Sequence, residues 1–490
     1  MRNRKSIVLL LLLLVSVFVL SACSEESDEL VLRIYNWQDY IDDGTNEEGE
    51  KVNPSVLDDW ALWYEQTYGE KVTYVYDTFE TNEVMLNNMK TGKNVYDIVC
   101  PSEYAIQKML KLDMIEEFDL DMKDKNGDLV MSNYKYISTY LVDLFAEKGW
   151  DKYAIPYMWG TVGFIYHPDY VSEEEASSWN LLWNSDIKST AKDSIRDTYV
   201  AGVMYVYQDE LNDLKLQFDK GLITQEAYTK RVGEIMNMCD DETLDKVQDA
   251  LIVMKDAVYG FEVDSGKNDI VTGKIHANLA WSGDAVYSMD VAEEEEGVCL
   301  NYAVPKEGSN VWFDGWVMPK GANKELAQSF VNFLCSPEIA VRNMNMIGYT
   351  SAIVGNEIMD MINDWYGAED LDEAYPVDLT YLFTDSLSDE YYTVLENGEK
   401  RAIVYVAERG RQFDAQYPDE ETIMRCGIME DFGDRNDAVI AMWENVKIGD
   451  ISIWITIALV STLVIILAIM YGVKAYTKYQ RKMRKLKYNK

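Results

Sequence analysis

Histidine is nearly missing from this chain: His167 and His276 are the two imidazoles in 490 residues. Little is left for imidazole-based catalysis, and His167, closing the strand-like run GFIYH, reads as a structural residue. Neither HExxH nor GxSxG occurs, and no glycine-rich phosphate loop follows a strand, which removes the commonest hydrolase and nucleotide signatures. Among 85 acidic residues no carboxylate pair is set apart for glycoside cleavage, so an enzyme is not indicated. Cysteine is also sparse. Beyond Cys23, the five thiols Cys100, Cys239, Cys299, Cys335 and Cys426 are odd in number and lack CxxC spacing, which argues against both a disulfide framework and a zinc site. Positive charge is short too: 45 Lys and Arg face 85 Asp and Glu, for a net charge of -40. A field of that sign repels nucleic acid and draws cations. No internal repeat or low-complexity linker is visible. The nearest approach to a calcium loop, DLDMKDKNGDL at residues 119–129, has Leu129 and Lys135 where an EF-hand counted from Asp124 needs Gly and Glu. No metal or cofactor is expected.

Both ends of the chain carry apolar runs beside positive charge. Arg2, Arg4 and Lys5 precede a run that stays apolar over residues 7–15 and continues to Leu20, and LSAC then ends at Cys23. This pattern predicts a secretory signal over residues 1–22. LSAC resembles the lipobox of bacterial lipoproteins, in which the Cys is the lipidated first residue, and residues 23–29 then serve as a polar tether. Residues 451–473 contain no formal charge and are long enough to cross ~30 Å of hydrocarbon as a helix. The tail at residues 474–490 carries eight cations and is expected on the cytoplasmic side. The folded part, ending near Lys447, is then extracellular and tied to the cell membrane at both ends. Its length exceeds one usual core and predicts two lobes.

Within it, β-like runs alternate with helical ones. LVLRIYNW, KVTYVYDTF and NVYDIVCPS read as strands, DDWALWYEQTYG as a helix stopping at Gly69, and residues 104–118 as a second helix. That alternation predicts a mostly parallel sheet covered on both faces. Residues 154–167 are strand-like, residues 205–258 read as a helical hairpin broken at Gly221, and the run from Glu293 to Glu296 reads as a solvated loop or helix end. Strand-like runs end repeatedly on aromatic and acidic turns: YNWQDY, CPSEY, AWSGDAVY and VWFDGW. Open α/β sheets bind ligands at such strand ends. One pocket rich in Trp, Tyr and Asp suits an organic cation, since aromatic faces attract ammonium and carboxylates neutralise it.

The motifs YNWQDY, TFETNEVMLNNMK, YDIVCPSEYAIQKM, AIPYMWGTVGFIYH, SWNLLW, LAWSGDA, VPKEGSNVWFDGWVMP, FVNFLCSPEIA, IGYTSA and YPDEETIM occur in this order. Together they resemble the substrate-binding components of spermidine/putrescine ABC transporters. The resemblance covers most of residues 30–447. It implies a two-lobed α/β periplasmic-binding-protein clamp of type II with the ligand in the cleft between lobes, to which this chain adds one C-terminal transmembrane helix. Residues 30–157 and 313–358 are expected in lobe 1, and residues 158–312 and 359–447 in lobe 2. The implied partners are a polyamine and the permease subunits of an importer with a cytoplasmic ATPase. By similarity Trp37, Tyr40, Ser102 and Tyr104 line one side of the cleft, Trp281, Trp312 and Tyr349 supply aromatic walls, Asp314 is the central carboxylate, and Asp197 of DSIRD is a second acidic contact. Asp314, between Trp312 and Trp316, is costly to bury unless a cation or several donors satisfy it.

The sequence departs from the family at several places. Ser194 stands where relatives can have Asp. Glu430 of GIMED falls near a family amide position, but a segment one residue shorter makes Met429 a competitor. Insertions enlarge the chain around residues 42–52, after Tyr205 and across 354–416. Another organic cation as ligand, or a membrane-anchored polyamine sensor, remain the alternatives to uptake.

Overall fold

The computed structural model describes residues 30–45, 50–92 and 95–448, with Ser461, Thr462 and Lys474. Cys23, the signal and almost all of residues 451–490 lie outside the described residues. Among those described, no helix is long and apolar enough to cross a membrane.

A 12-stranded sheet organises the described residues. On one side Leu30–Trp37 pairs in parallel with Val72–Phe79 and Ile98–Val99. On the other, Ser189–Lys192 pairs in parallel with Gly260–Glu262 and Ala277–Trp281. Two long antiparallel strands, Ala154–Tyr166 and Ser309–Pro319, join these groups. The second reaches the first group where Val317 meets Val99, and the first reaches the other group where Phe164 meets Leu279. Every residue of both crossing strands is buried, which explains why each reads as a continuous run with no polar alternation. Their register shifts between Asp314 and Gly315. A bulge bends the strand and re-aims a side chain, and this one falls beside Asp314.

Local signals account for most boundaries. Ser55 and Asp58 form a capping box at the start of Val56–Tyr68, and Gly69 ends that helix at φ 68°, a conformation glycine adopts without steric cost. The helix expected over residues 104–118 stops at Lys111. Asp113 adopts φ 55° and the Met114 amide turns back to the Met109 carbonyl at 2.9 Å. This leaves Ile115 free to pair with Pro319 in the sheet. The strand expected over residues 94–102 shrinks to Ile98–Val99, because Pro101 cannot donate to a ladder and Ser102 already stands at the N-terminal boundary of the next helix. Residues 205–258 form the helices Gln208–Asp219, Gln225–Met236 and Asp241–Ala257 after Ile195–Val206, with Gly221 at φ 67° as the expected break.

The insertion after residue 354 touches elements from both sides of the expected lobe boundary. Tyr381 packs edge-on against Tyr140 at 5.5 Å, and Ser138 Oγ donates to the Leu382 carbonyl at 2.6 Å. Gln412 reaches the other way, donating to Asp290 at 2.9 Å. The five described cysteines are free, and Cys100, Cys335 and Cys426 are buried.

Candidate ligand-binding cleft

A cavity of about 1230 Å³ lies beside the crossing strands. Three helices begin on it, Glu103–Lys111, Ile195–Val206 and Ser282–Val291, and each has an acid in its first turn: Glu103, Asp197 and Asp284. A helix N-terminus carries a partial positive charge and by itself favours anions. These three buried carboxylates oppose that preference and leave the cleft rich in acceptors. The Ser194 hydroxyl accepts from the Asp197 amide at 3.3 Å. Ser102 makes no such cap bond, so its hydroxyl is free for the neighbouring Asp314, with which its backbone forms an isolated bridge.

Asp314 has the most exacting surroundings. It is 5 % exposed, and Oδ2 accepts from the Tyr40 hydroxyl at 2.7 Å. Oδ1 is buried without a hydrogen-bond partner. Burial pushes this carboxyl up to about 6, while Ser102 and Tyr40 hold it from rising further. Around it Tyr349 meets Tyr40 edge-on at 5.3 Å and Trp312 at 5.4 Å. Two glycines make this packing possible, since a Cβ on Gly283 would overlap the Tyr349 ring and one on Gly160 would overlap Trp312. An unpaired buried carboxylate among three aromatic rings is electrostatically incomplete, and a bound cation completes it.

The opposite wall combines acids with cations of its own. Lys192 is 1 % exposed, with Nζ 3.2 Å from Glu262 and 3.4 Å from Asp284. The same ammonium lies 4.4 Å from the Trp281 ring centroid. Lys267 adds a second contact to Asp284 at 3.6 Å. The Arg196 guanidinium sits 4.4 Å from the Tyr104 ring and 3.8 Å from Phe432, and donates to the Glu430 carbonyl. Two of the expected aromatic walls, Trp281 and Tyr104, therefore already carry a cation. Burial pushes Asp197 above the ordinary carboxylate range, and the Trp281 indole donates to it at 3.3 Å. Glu103 is pushed up to about 8, chiefly by burial, although the Phe313 amide bonds to it.

Trp37, Tyr40, Ser102, Tyr104, Asp197, Trp281, Trp312, Asp314 and Tyr349 all line the cavity. Glu430 does not. Its side chain is exposed, its amide is held by Asn237 at 2.8 Å, and Met429 takes the lining position. With its amide held by Asn237 the acid faces outward, so Glu430 is withdrawn as a cleft residue.

A family model described as bacterial extracellular solute-binding protein matches residues 60–357. The chain belongs to this family. As a solute-binding protein it is 27% identical over 330 residues to the spermidine/putrescine-binding periplasmic protein of Salmonella typhimurium, covering 67% of this chain and 79% of that one. It is 28% identical over 334 residues to the putrescine-binding periplasmic protein SpuD of Pseudomonas aeruginosa, covering 66% and 79%. Among solved structures, a putative spermidine/putrescine ABC transporter protein from Listeria monocytogenes superposes with a TM-score of 0.58 at 22% identity, over 85% of this chain and 98% of that one. The spermidine/putrescine ABC transporter substrate-binding protein PotD of Streptococcus pneumoniae gives 0.55 at 23% identity, over 86% and 99%. These neighbours support the two-lobed α/β periplasmic-binding-protein fold.

Sequence reasoning passed over Lys192, Arg196, Glu262, Lys267 and Asp284. Asp284 and Arg196 stand inside quoted motifs, and their places in first helical turns were the available signal. Nothing local marks Lys192, Glu262 and Lys267; the first two meet through strand pairing, and Lys267 comes from the helix Ser265–Val271.

Proposed function

We propose that this solute-binding protein captures polyamines outside the cell and delivers them to the permease of an ABC importer whose ATPase is cytoplasmic. The observation that carries the reading is Asp314, a buried carboxylate with an unpartnered Oδ1 among Tyr40, Trp312 and Tyr349. Polyamines offer ammonium groups for such carboxylates and methylene segments for flat aromatic walls. The named relatives support the same ligand class. Binding and release without chemistry suffices for this role, and the protein is not an enzyme.

In this reading residues 30–157 and 313–358 move as one lobe against residues 158–312 and 359–447. Cys23 carries a lipid, residues 451–473 span the membrane, and the basic tail at residues 474–490 faces the cytoplasm. The charge pattern of both ends supports that placement. Titration of the purified full-length protein with putrescine and spermidine, read by calorimetry and Trp fluorescence, tests the function. Saturable binding of at least one is expected, and silence toward both at millimolar ligand would overturn it.

A second reading, a zwitterionic organic cation, is favoured by Arg196, whose Nε and Nη1 are buried without partners. An ω-amino acid in the same titration separates the two.

A further inference from the structure

We infer that Lys192 is a built-in occupant of an ammonium subsite, and that by filling it the protein limits its ligand to a short diamine. The inference deepens the polyamine reading and rests on it for the identity of the ligand.

Recognition of an alkylammonium calls for an aromatic face, one or two carboxylates, and a neutral acceptor for the remaining proton. Lys192 Nζ has all of these. It lies 4.4 Å from the Trp281 ring centroid, 3.2 Å from Glu262 and 3.4 Å from Asp284, and donates to the Val263 carbonyl at 3.0 Å. The cage opens on the same cavity as Asp314. Contacts connect the two positions: Trp312 packs on Tyr349, whose hydroxyl donates to Asp284 at 2.9 Å. A ligand extending from Asp314 toward Asp284 meets an ammonium already in place.

The charge arrangement points the same way. Asp284 faces both Lys192 and Lys267, so its charge is answered from within the protein. Asp314 has no cation within ion-pair distance among the described residues. Asp197 receives the Trp281 indole and the Ser194-capped helix start, and no ion pair involving it is present among the described residues. Asp314 and Asp197 are thus open to ligand charge, and the buried Glu103, held by the Phe313 amide at 3.1 Å, is a third acid without an ion pair among the described residues; a short diamine can engage two of them. A third ammonium would have to compete with a tethered lysine whose local concentration no free amine reaches.

The test replaces Lys192 and supplies its ammonium from solution. In Lys192→Ala, n-propylammonium should raise the melting temperature saturably and by more than in the parent protein, where it meets the Asp314 side alone, whereas 1-propanol at equal concentration should raise neither. In the same variant the ratio of spermidine to putrescine affinity should rise by roughly tenfold or more. Should Lys192→Ala fail to fold, the charge-balanced Lys192→Ala/Glu262→Gln carries both measurements, keeping Trp281 and Asp284 as the vacant cage. Absence of ammonium rescue together with an unchanged affinity ratio overturns the inference, as does a parent protein that binds spermidine more tightly than putrescine. Rescue in a protein that binds no polyamine would leave the cage standing and remove the proposed ligand, so the two failures are distinguishable.

Discussion

The two walls of the cleft use the same residue types to opposite electrostatic ends. At the Asp314 wall a carboxylate is surrounded by Tyr40, Trp312 and Tyr349, has an orphaned oxygen, and is pushed up to about 6 by burial. At the Lys192 wall two carboxylates and an indole enclose a lysine that answers their charge. Burying a charge without a partner is expensive, whereas a buried pair is costly chiefly to break. The contrast separates a wall completed by the protein from a wall left for a ligand to complete, and acidity alone cannot make that distinction.

The most forceful way to break the comparison is Lys192→Ala. Losing it strands Glu262 and leaves Asp284 with Lys267 alone, and we expect a stability loss of about 3–5 kcal/mol, read as a lower denaturant midpoint. Asp314→Asn should do the reverse. It removes an uncompensated buried charge, so the ligand-free protein should be at least as stable as the parent, while ligand affinity drops by about 2–5 kcal/mol in calorimetry. A less stable ligand-free Asp314→Asn protein would show that the Asp314 wall is as self-sufficient as the other.

Acid sharpens the contrast. The Asp314 carboxyl sits near 6 in the fold, so a cation binding there should lose about tenfold in affinity per pH unit below that value. In the ligand-free protein the sign is opposite. A folded-state value above the unfolded ~3.9 means that protonation favours the fold, and this stabilisation is lost as pH rises through about 6. Glu103, pushed up to about 8, adds a step of the same sign at higher pH. Asp314→Asn should erase the lower step of the stability profile and keep the upper one. The smallest effect belongs to Glu430→Gln. Its side chain is outside the cavity, so polyamine affinity should change by less than ~0.5 kcal/mol, and a larger loss would return that residue to the site.

Much of this architecture could be read from the chain because it rests on local chemistry. Leu30–Trp37, Val72–Phe79 and Ala154–Tyr166 form where the sequence has strand-like runs, and Gly69 ends its helix as glycine commonly does. The family motifs marked nine cavity-lining residues; the strand-end reading holds for Trp37 and Trp281, whereas Trp312 and Asp314 lie inside the strand Ser309–Pro319, so VWFDGW is not the turn expected. Other features depended on pairing that no local window contains. Asp113 stops a helix whose apolar spacing continues past it, and it does so because Ile115 has a strand partner at Pro319. The one-residue difference between Met429 and Glu430 is decided by Asn237, held on another helix end. The lysine cage is assembled from residues 192, 262 and 284 on three separate elements, so each reads alone as an ordinary surface charge.

The crossing strand Ser309–Pro319 also sets an order of events during synthesis. Val99 lies beside Val317, and Thr161 beside Val311, so the first group of parallel strands has no inner neighbour, and Ala154–Tyr166 lacks its partner on that side, until the chain has been made past residue 319. Contacts this distant in sequence delay folding, because loop closure must precede any gain from pairing. A nascent chain short of that strand has unpaired sheet edges on both halves, a state open to translocation or to chaperone capture and prone to aggregation if it lingers. The strand that carries Asp314 is therefore also the clasp that joins the two halves of the sheet.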